Sequence, residues 1–218
     1  METSLSNSYF IDFDLDIVRK TASSIIKEAI DPKEKAIKLF YWTRDEIKYD
    51  AHSLSSMRKR YKASAIIEKG QGWCVQKAVV LTALARAVDI PARLHFADIR
   101  NHQTPEKLKE RMGTNFFLYH GYTDLYIDGK WIKATPAFNK ELCDKFGYKT
   151  VEFDGIHDAI LPSTTLSGEK YVEYLKDRGT NHKLPFKEIF RAFYDYYPVK
   201  NQSVSVAKDS RVEFVKKN

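Results

Sequence analysis

Cysteine is scarce in this sequence. Only Cys74 and Cys143 occur among 218 residues, so at most one disulfide can form and a disulfide-stapled scaffold is excluded. The two cysteines and six histidines show no CxxC, HxxxH or HExxH spacing, so no metal and no cofactor is expected. No apolar run approaches the roughly 20 residues that a membrane-spanning helix needs. The opening METSLSN lacks the basic start and apolar stretch of a secretory signal. The expectation is a protein of the reducing cytoplasm with no membrane partner. The 9 Gly and 7 Pro are scattered and aromatics reach 13%, which excludes collagen-like or wholly disordered chains.

Charge of one sign is also modest. Against 36 Lys+Arg stand 29 Asp+Glu, a net +7, with both signs interspersed. One dense basic run, Arg58-Lys59-Arg60-Tyr61-Lys62, is a candidate nucleic-acid contact. A solvated face explains it more simply, and no RNP, zinc-finger or KH signature accompanies it. A nucleic-acid accessory role is therefore the weakest reading. Length bounds the rest: at roughly 100–200 residues per domain, a single domain over 1–218 is expected.

The pattern of apolar residues predicts mixed helix and strand. Positions 17, 18, 22, 25, 26, 29 and 30 make one helical face. Asp31-Pro32-Lys33-Glu34 then starts a second helix, with Asp31 as N-cap and Pro32 at the first position. From Val75 to Val88 only Gln76, Lys77, Thr82 and Arg86 are polar, the mark of a buried central helix. Segment 92–99 reads as a strand and 100–113 as a polar loop. Residues 116–127 and 130–138 flank Asp128-Gly129, a strong two-residue hairpin signal. Residues 150–168 read as loop, and 169–179 and 185–197 as short helices. In that hairpin 127 pairs with 130, so Asp124 faces Lys133, Tyr122 faces Thr135 and His120 faces Ala137.

Cys74 follows Gly70-Gln71-Gly72-Trp73 and opens the central helix. A helix N-terminus carries a partial positive charge and favours a thiolate, so Cys74 is the candidate nucleophile. A nucleophilic thiol needs a base. Of the histidines, His120 sits in mid-strand, and Thr135 and Asn139 are its diagonal neighbours across the hairpin. Asp124 shares its face but lies about 13 Å along the strand at ~3.3 Å per residue.

GlyTrpCysValGlnLysAla, then DIPAR, then HisGlyTyrThrAspLeuTyrIleAspGlyLysTrp resemble the transglutaminase-like superfamily of the papain-like cysteine fold. The resemblance implies an α+β core over about 33–139, with the Cys-bearing helix packed on an antiparallel sheet. Extra helices would stand at both ends, and 140–218 would form a helical and loop elaboration. It implies Cys74 as nucleophile and His120, 46 residues on, as base. The family's third residue, an Asp before a Pro, falls on Thr135 before Pro136, which offers no charge to an imidazolium. Asn139, Asp154 and Asp158 are the alternatives. Tyr49, Gln71 or Trp73 would help hold the oxyanion.

The activity so implied is acyl transfer or hydrolysis at an amide or ester. A peptide or a small amide or ester is the expected substrate. The alternative is a non-catalytic transglutaminase-like fold that binds peptides in the same cleft.

Overall fold

A computed structural model describes residues 2–197, together with a strand pair at Ser203–Val206 and Val212–Val215. Helices α1 (Asp16–Ile25) and α2 (Pro32–Glu46) lead to the short strand β1 (Lys48–Tyr49). Asp31 caps α2 by accepting the Glu34 N–H at 2.8 Å, while Glu34 accepts the Ile30 N–H. Two 3-10 turns, Ala51–Ser53 and Arg58–Tyr61, precede helix α3 (Ala63–Lys69), strand β2 (Gln71–Gly72) and helix α4 (Cys74–Arg86). Two members of the basic run make contacts within the fold, while Arg58, Lys59 and Arg60 remain exposed. The Arg58 guanidinium lies 5.1 Å from the Tyr9 ring and 5.4 Å from Phe10, and Lys62 pairs with Asp12.

Every residue of α4 is buried, so its two cations need internal partners. Lys77 Nζ donates to the carbonyls of Arg44 and Ile47, the unpaired end of α2. Arg86 donates to the carbonyls of Ala92, Ser6 and His182. Charge placed in the core thereby ties the central helix to α2, the N-terminal segment and the chain around His182.

The sheet contains β3 (Ala92–Asn101), β4 (Phe116–Ile127), β5 (Lys130–Ala134) and β6 (Val172–Asn181), in the antiparallel order β5-β4-β3-β6. The Asp128-Gly129 turn forms as expected, with Ile127 opposite Lys130 and Asp124 opposite Lys133. Asp128 and Gly129 both take positive φ, which this turn requires. Gly121 sits where β4 crosses the start of α4: a Cβ there would meet Val75 Cα at 2.9 Å. That close approach fixes strand against helix at the candidate nucleophile.

Four expectations are corrected. The hairpin ladder ends at Thr123–Ala134, and Thr135 turns its N–H to the Ala159 carbonyl. The Tyr122–Thr135 and His120–Ala137 pairs therefore do not form. Segment 169–179 is not a helix but most of β6, an edge strand whose charged side chains suit its exposure. The 100–113 loop contains helix α5 (Glu106–Met112), which buries none of its residues and so shows no apolar period. The 140–218 elaboration is not only helix and loop. It adds helix α6 (Lys140–Phe146), the fourth sheet strand, and α7 (Phe186–Tyr196), the last close to its expected span.

Candidate active site

Cys74 is the first residue of α4, and both it and Cys143 are free thiols. The turn before it is fixed by Gln76, whose Oε1 accepts the Trp73 N–H at 3.2 Å and whose Nε2 donates to the Arg60 carbonyl. The backbone N–H groups of Gly121 and Val75 lie near enough to the Cys74 sulfur to favour its thiolate. Neither Gly70 nor Gly72 supplies them. Gly70 instead caps α3 in a left-handed conformation, and the Gly72 carbonyl accepts the Asp50 N–H.

His120 precedes Gly121, so its side chain leaves the opposite face of β4 from α4. Its ring lies 6.0 Å from Tyr122 and 6.0 Å, edge to face, from Tyr174 of β6. Cys74 and His120 nevertheless open on one cleft of about 800 Å³. Tyr49 and Trp73 line it too, whereas Gln71 pairs with Lys48 and stands outside the wall.

Electrostatics set the resting protonation. Burial pushes the Cys74 thiol up to about 11, against the pull of three backbone N–H groups and the Lys77 charge. Desolvation outweighs the pull of the helix N-terminus on this thiol. Burial also pushes His120 down to about 3. The pair therefore rests as neutral thiol and neutral imidazole. Tyr49 is raised by burial and by its proximity to Cys74.

The candidates for orienting His120 are differently placed. Among the described residues His120 Nε2 is sealed from solvent without a hydrogen-bond partner, and so is Thr135 Oγ1. Thr135 lies beside the Tyr174 hydroxyl, the same tyrosine that packs on His120. Asn139 already has one partner: its Oδ1 accepts the Tyr49 N–H at 3.1 Å. Asp154 is closed on itself, accepting from the N–H groups of Ile156 and His157 and pairing with His157 Nδ1 at 2.7 Å. Asp158 accepts the Lys133 N–H at 2.9 Å. Asp154 thus holds its own turn, and Asp158 ties that segment to β5.

Sequence reasoning missed Tyr122, Tyr174 and Gln76. Gln76 stood at the capping-box position of α4, a signal that was there to find. Tyr174 gave none, because it lies in the segment that resembles a helix. Among the described residues no three His, Cys, Asp or Glu side chains converge as metal ligands, and no helix is long and apolar enough to cross a membrane.

A cysteine opening a buried helix against a histidine-bearing antiparallel sheet defines the transglutaminase-like arrangement. The family description of the transglutaminase-like superfamily matches residues 19–136, and the chain belongs to that superfamily. A candidate cysteine protease from Cytophaga hutchinsonii shares the fold at a TM-score of 0.55 and 19% identity, covering 85% of this chain and 48% of that one. The chain thus spans about half the length of that neighbour. The periplasmic domain of TgpA from Pseudomonas aeruginosa aligns at a TM-score of 0.42 and 15% identity, over 61% of this chain and 45% of that one. No curated protein matches the chain.

Proposed function

We propose that the protein is a thiol-dependent acyl-transfer enzyme acting on an amide or ester carbonyl. The observation that carries this reading is that Cys74, at the start of α4, shares one cleft with His120 and Tyr49. In the proposed reaction Cys74 Sγ attacks the carbonyl carbon while His120 takes the thiol proton. A carbon–sulfur bond forms, the bond to the leaving group breaks, and His120 returns the proton to the departing amine or alcohol. The Cys74 N–H and the Tyr49 hydroxyl hold the transient oxyanion. Water then releases the acid, which makes the enzyme a hydrolase; an amine in its place makes it an acyltransferase.

Because the resting pair is neutral, His120 acts as a general base during attack, not as the partner of a preformed thiolate. Incubation with p-nitrophenyl acetate tests the reading. Cys74 should gain one acetyl group by mass spectrometry. His120→Ala should slow that step by about 10²–10⁴-fold, and Cys74→Ala should abolish it. An unmodified Cys74 in folded protein overturns the proposal.

A second reading is favoured by the unpartnered Nε2 of His120 and the uncharged Thr135: a non-catalytic fold that binds peptides in the cleft. Peptide binding retained in full by Cys74→Ala, with no acylation of the wild type, would establish it.

A further inference from the structure

The polar atoms around the cleft are distributed unevenly. At the walls most of them are already bonded to the protein itself, Glu110 and Tyr194 at the rim apart. The Tyr148 hydroxyl donates to the Gln103 carbonyl at 3.0 Å. The Tyr197 hydroxyl accepts the Leu118 N–H at 2.8 Å and donates to the Phe116 carbonyl at 3.2 Å. Asp50 is bonded to the His52 N–H and the Ser53 hydroxyl, and Asn101 to the Gln103 N–H. The rim pair Arg111–His52 is closed at 3.1 Å. These tyrosines turn their polar ends into the fold and leave their rings to the cavity. Leu108, Met112, Phe117, Phe138 and Leu142 line it between them. Apolar surface continues to the mouth, where Leu54 is 40% exposed, Phe146 50% and Tyr194 51%.

At the Cys74 end the polarity is of another kind. The Tyr49 hydroxyl makes no hydrogen bond among the described residues and stands near the Cys74 thiol, with His120 lining the same cleft. A site with a few free polar groups at one end and mostly apolar walls fits a ligand with one polar head and a bulky apolar body. A polar side chain or an extended peptide backbone would find few partners along the apolar stretch from Leu108 to Leu142 and would lose its own hydration there.

From this distribution we infer that the substrate carries a long aliphatic acyl group, as an ester or amide whose carbonyl lies at Cys74 and whose chain fills the cleft. The inference rests on the acyl-transfer reading of the same site and specifies its substrate class. Attack by Cys74 Sγ transfers that acyl group to sulfur and releases the alcohol or amine with the thiol proton. Water then cleaves the thioester to a free fatty-type acid and restores the thiol. No redox partner is needed.

The test compares p-nitrophenyl acetate, butyrate, hexanoate and octanoate below their micellar concentrations, reading the rate of Cys74 acylation with Cys74→Ala as background. The rate should rise about fourfold for each added methylene until the cleft is filled. Phe146→Asp, at a half-exposed position that tolerates a charge, should cut the octanoate-to-acetate ratio at least tenfold; Leu108→Asp should do the same from α5. In parallel, calorimetry follows octanamide and acetamide on the Cys74→Ala protein, and only octanamide should bind. Acylation at a rate flat or falling with chain length overturns the acyl-chain inference and leaves the acyl-transfer reading standing. Octanamide binding without acylation of wild-type Cys74 overturns the chemistry and keeps the apolar site. Neither binding nor acylation overturns both.

Discussion

Two buried histidines share one face of the same strand pair, and they are treated in opposite ways. His95 of β3 lies opposite Tyr122 of β4, and His120 lies two residues before Tyr122. Tyr122 stacks on His95 at 4.5 Å and lies 6.0 Å from His120. Both ring nitrogens of His95 meet carboxylates, Nδ1 with Asp124 and Nε2 with Asp177, each at 2.9 Å. Burial works against a charge on His95, but these hydrogen bonds outweigh it and its pKa is raised. His120 has no carboxylate, and burial alone lowers it. Partners, more than depth, decide whether a buried imidazole carries charge. The molecule holds its paired acids at a structural histidine and leaves the candidate catalytic one bare.

The largest expected effect comes from stripping the favoured histidine. Asp124 also accepts from Arg93 Nε at 3.0 Å, so Asp124→Ala leaves two donors without their acid. Urea denaturation should show a loss of about 3–5 kcal/mol. The matching change on the other side, Thr135→Val, removes a buried hydroxyl whose neighbour is the Tyr174 hydroxyl. It should leave stability within about 1 kcal/mol or raise it. Equal losses in the two variants would erase the contrast.

Giving His120 the acid it lacks sharpens the comparison. A carboxylate at 135 stabilises the charged ring and should lower the Cys74 thiol by about one pKa unit. Iodoacetamide at pH 7 should then alkylate Cys74 of Thr135→Asp about tenfold faster than wild type. An unchanged rate in a folded variant would place position 135 out of reach of the ring.

Acidity offers a gentler probe. His95, with its pKa raised, contributes stability below the ordinary histidine value of about 6.5, and loses it as pH climbs through the folded value. His120 runs the other way. Its folded value near 3 means that only the unfolded chain takes up a proton as pH falls below about 6.5, so stability drains toward acid. Imidazole NMR should show His95 titrating above 6.5 and His120 still neutral at pH 4. A single shared midpoint would contradict the different environments.

The smallest effect is expected at the other cysteine. Cys143 is 1% exposed on α6 and is not part of the cleft lining. Cys143→Ser should leave Cys74 acylation within about twofold and cost about 1–3 kcal/mol if its hydroxyl finds no partner. A collapse of acylation would move the nucleophile assignment away from Cys74.

Much of the Cys74 half of the site was legible because its signals are local. The unbroken apolar run of α4 and the Asp128-Gly129 dipeptide each declare themselves within a dozen residues, and together they place Cys74 and His120. The surroundings of the two histidines were not legible. Asp177 and Tyr174 reach His95 and His120 from β6, whose mixture of Glu, Lys, Tyr and Leu satisfies a helical spacing as well as an exposed edge strand. Asp124 looked committed to Lys133 across the hairpin. It does sit opposite Lys133, but its carboxylate turns to β3 instead. Thr135 could be placed only as far as the ladder extended, and the ladder stops one residue short of it. Long-range pairing leaves no trace in a window of sequence.

The order in which the sheet is assembled has a consequence for synthesis. A chain emerging from the ribosome presents α4 and the β4–β5 hairpin about forty residues before β6, and domains form as their elements become available. Until Val172–Asn181 pairs with β3, His120 lacks the Tyr174 ring and His95 lacks Asp177. A nascent or truncated chain ending before Val172 therefore carries both candidate reactive residues but not their enclosure. Enclosure of the candidate site therefore waits on the last strand of the sheet.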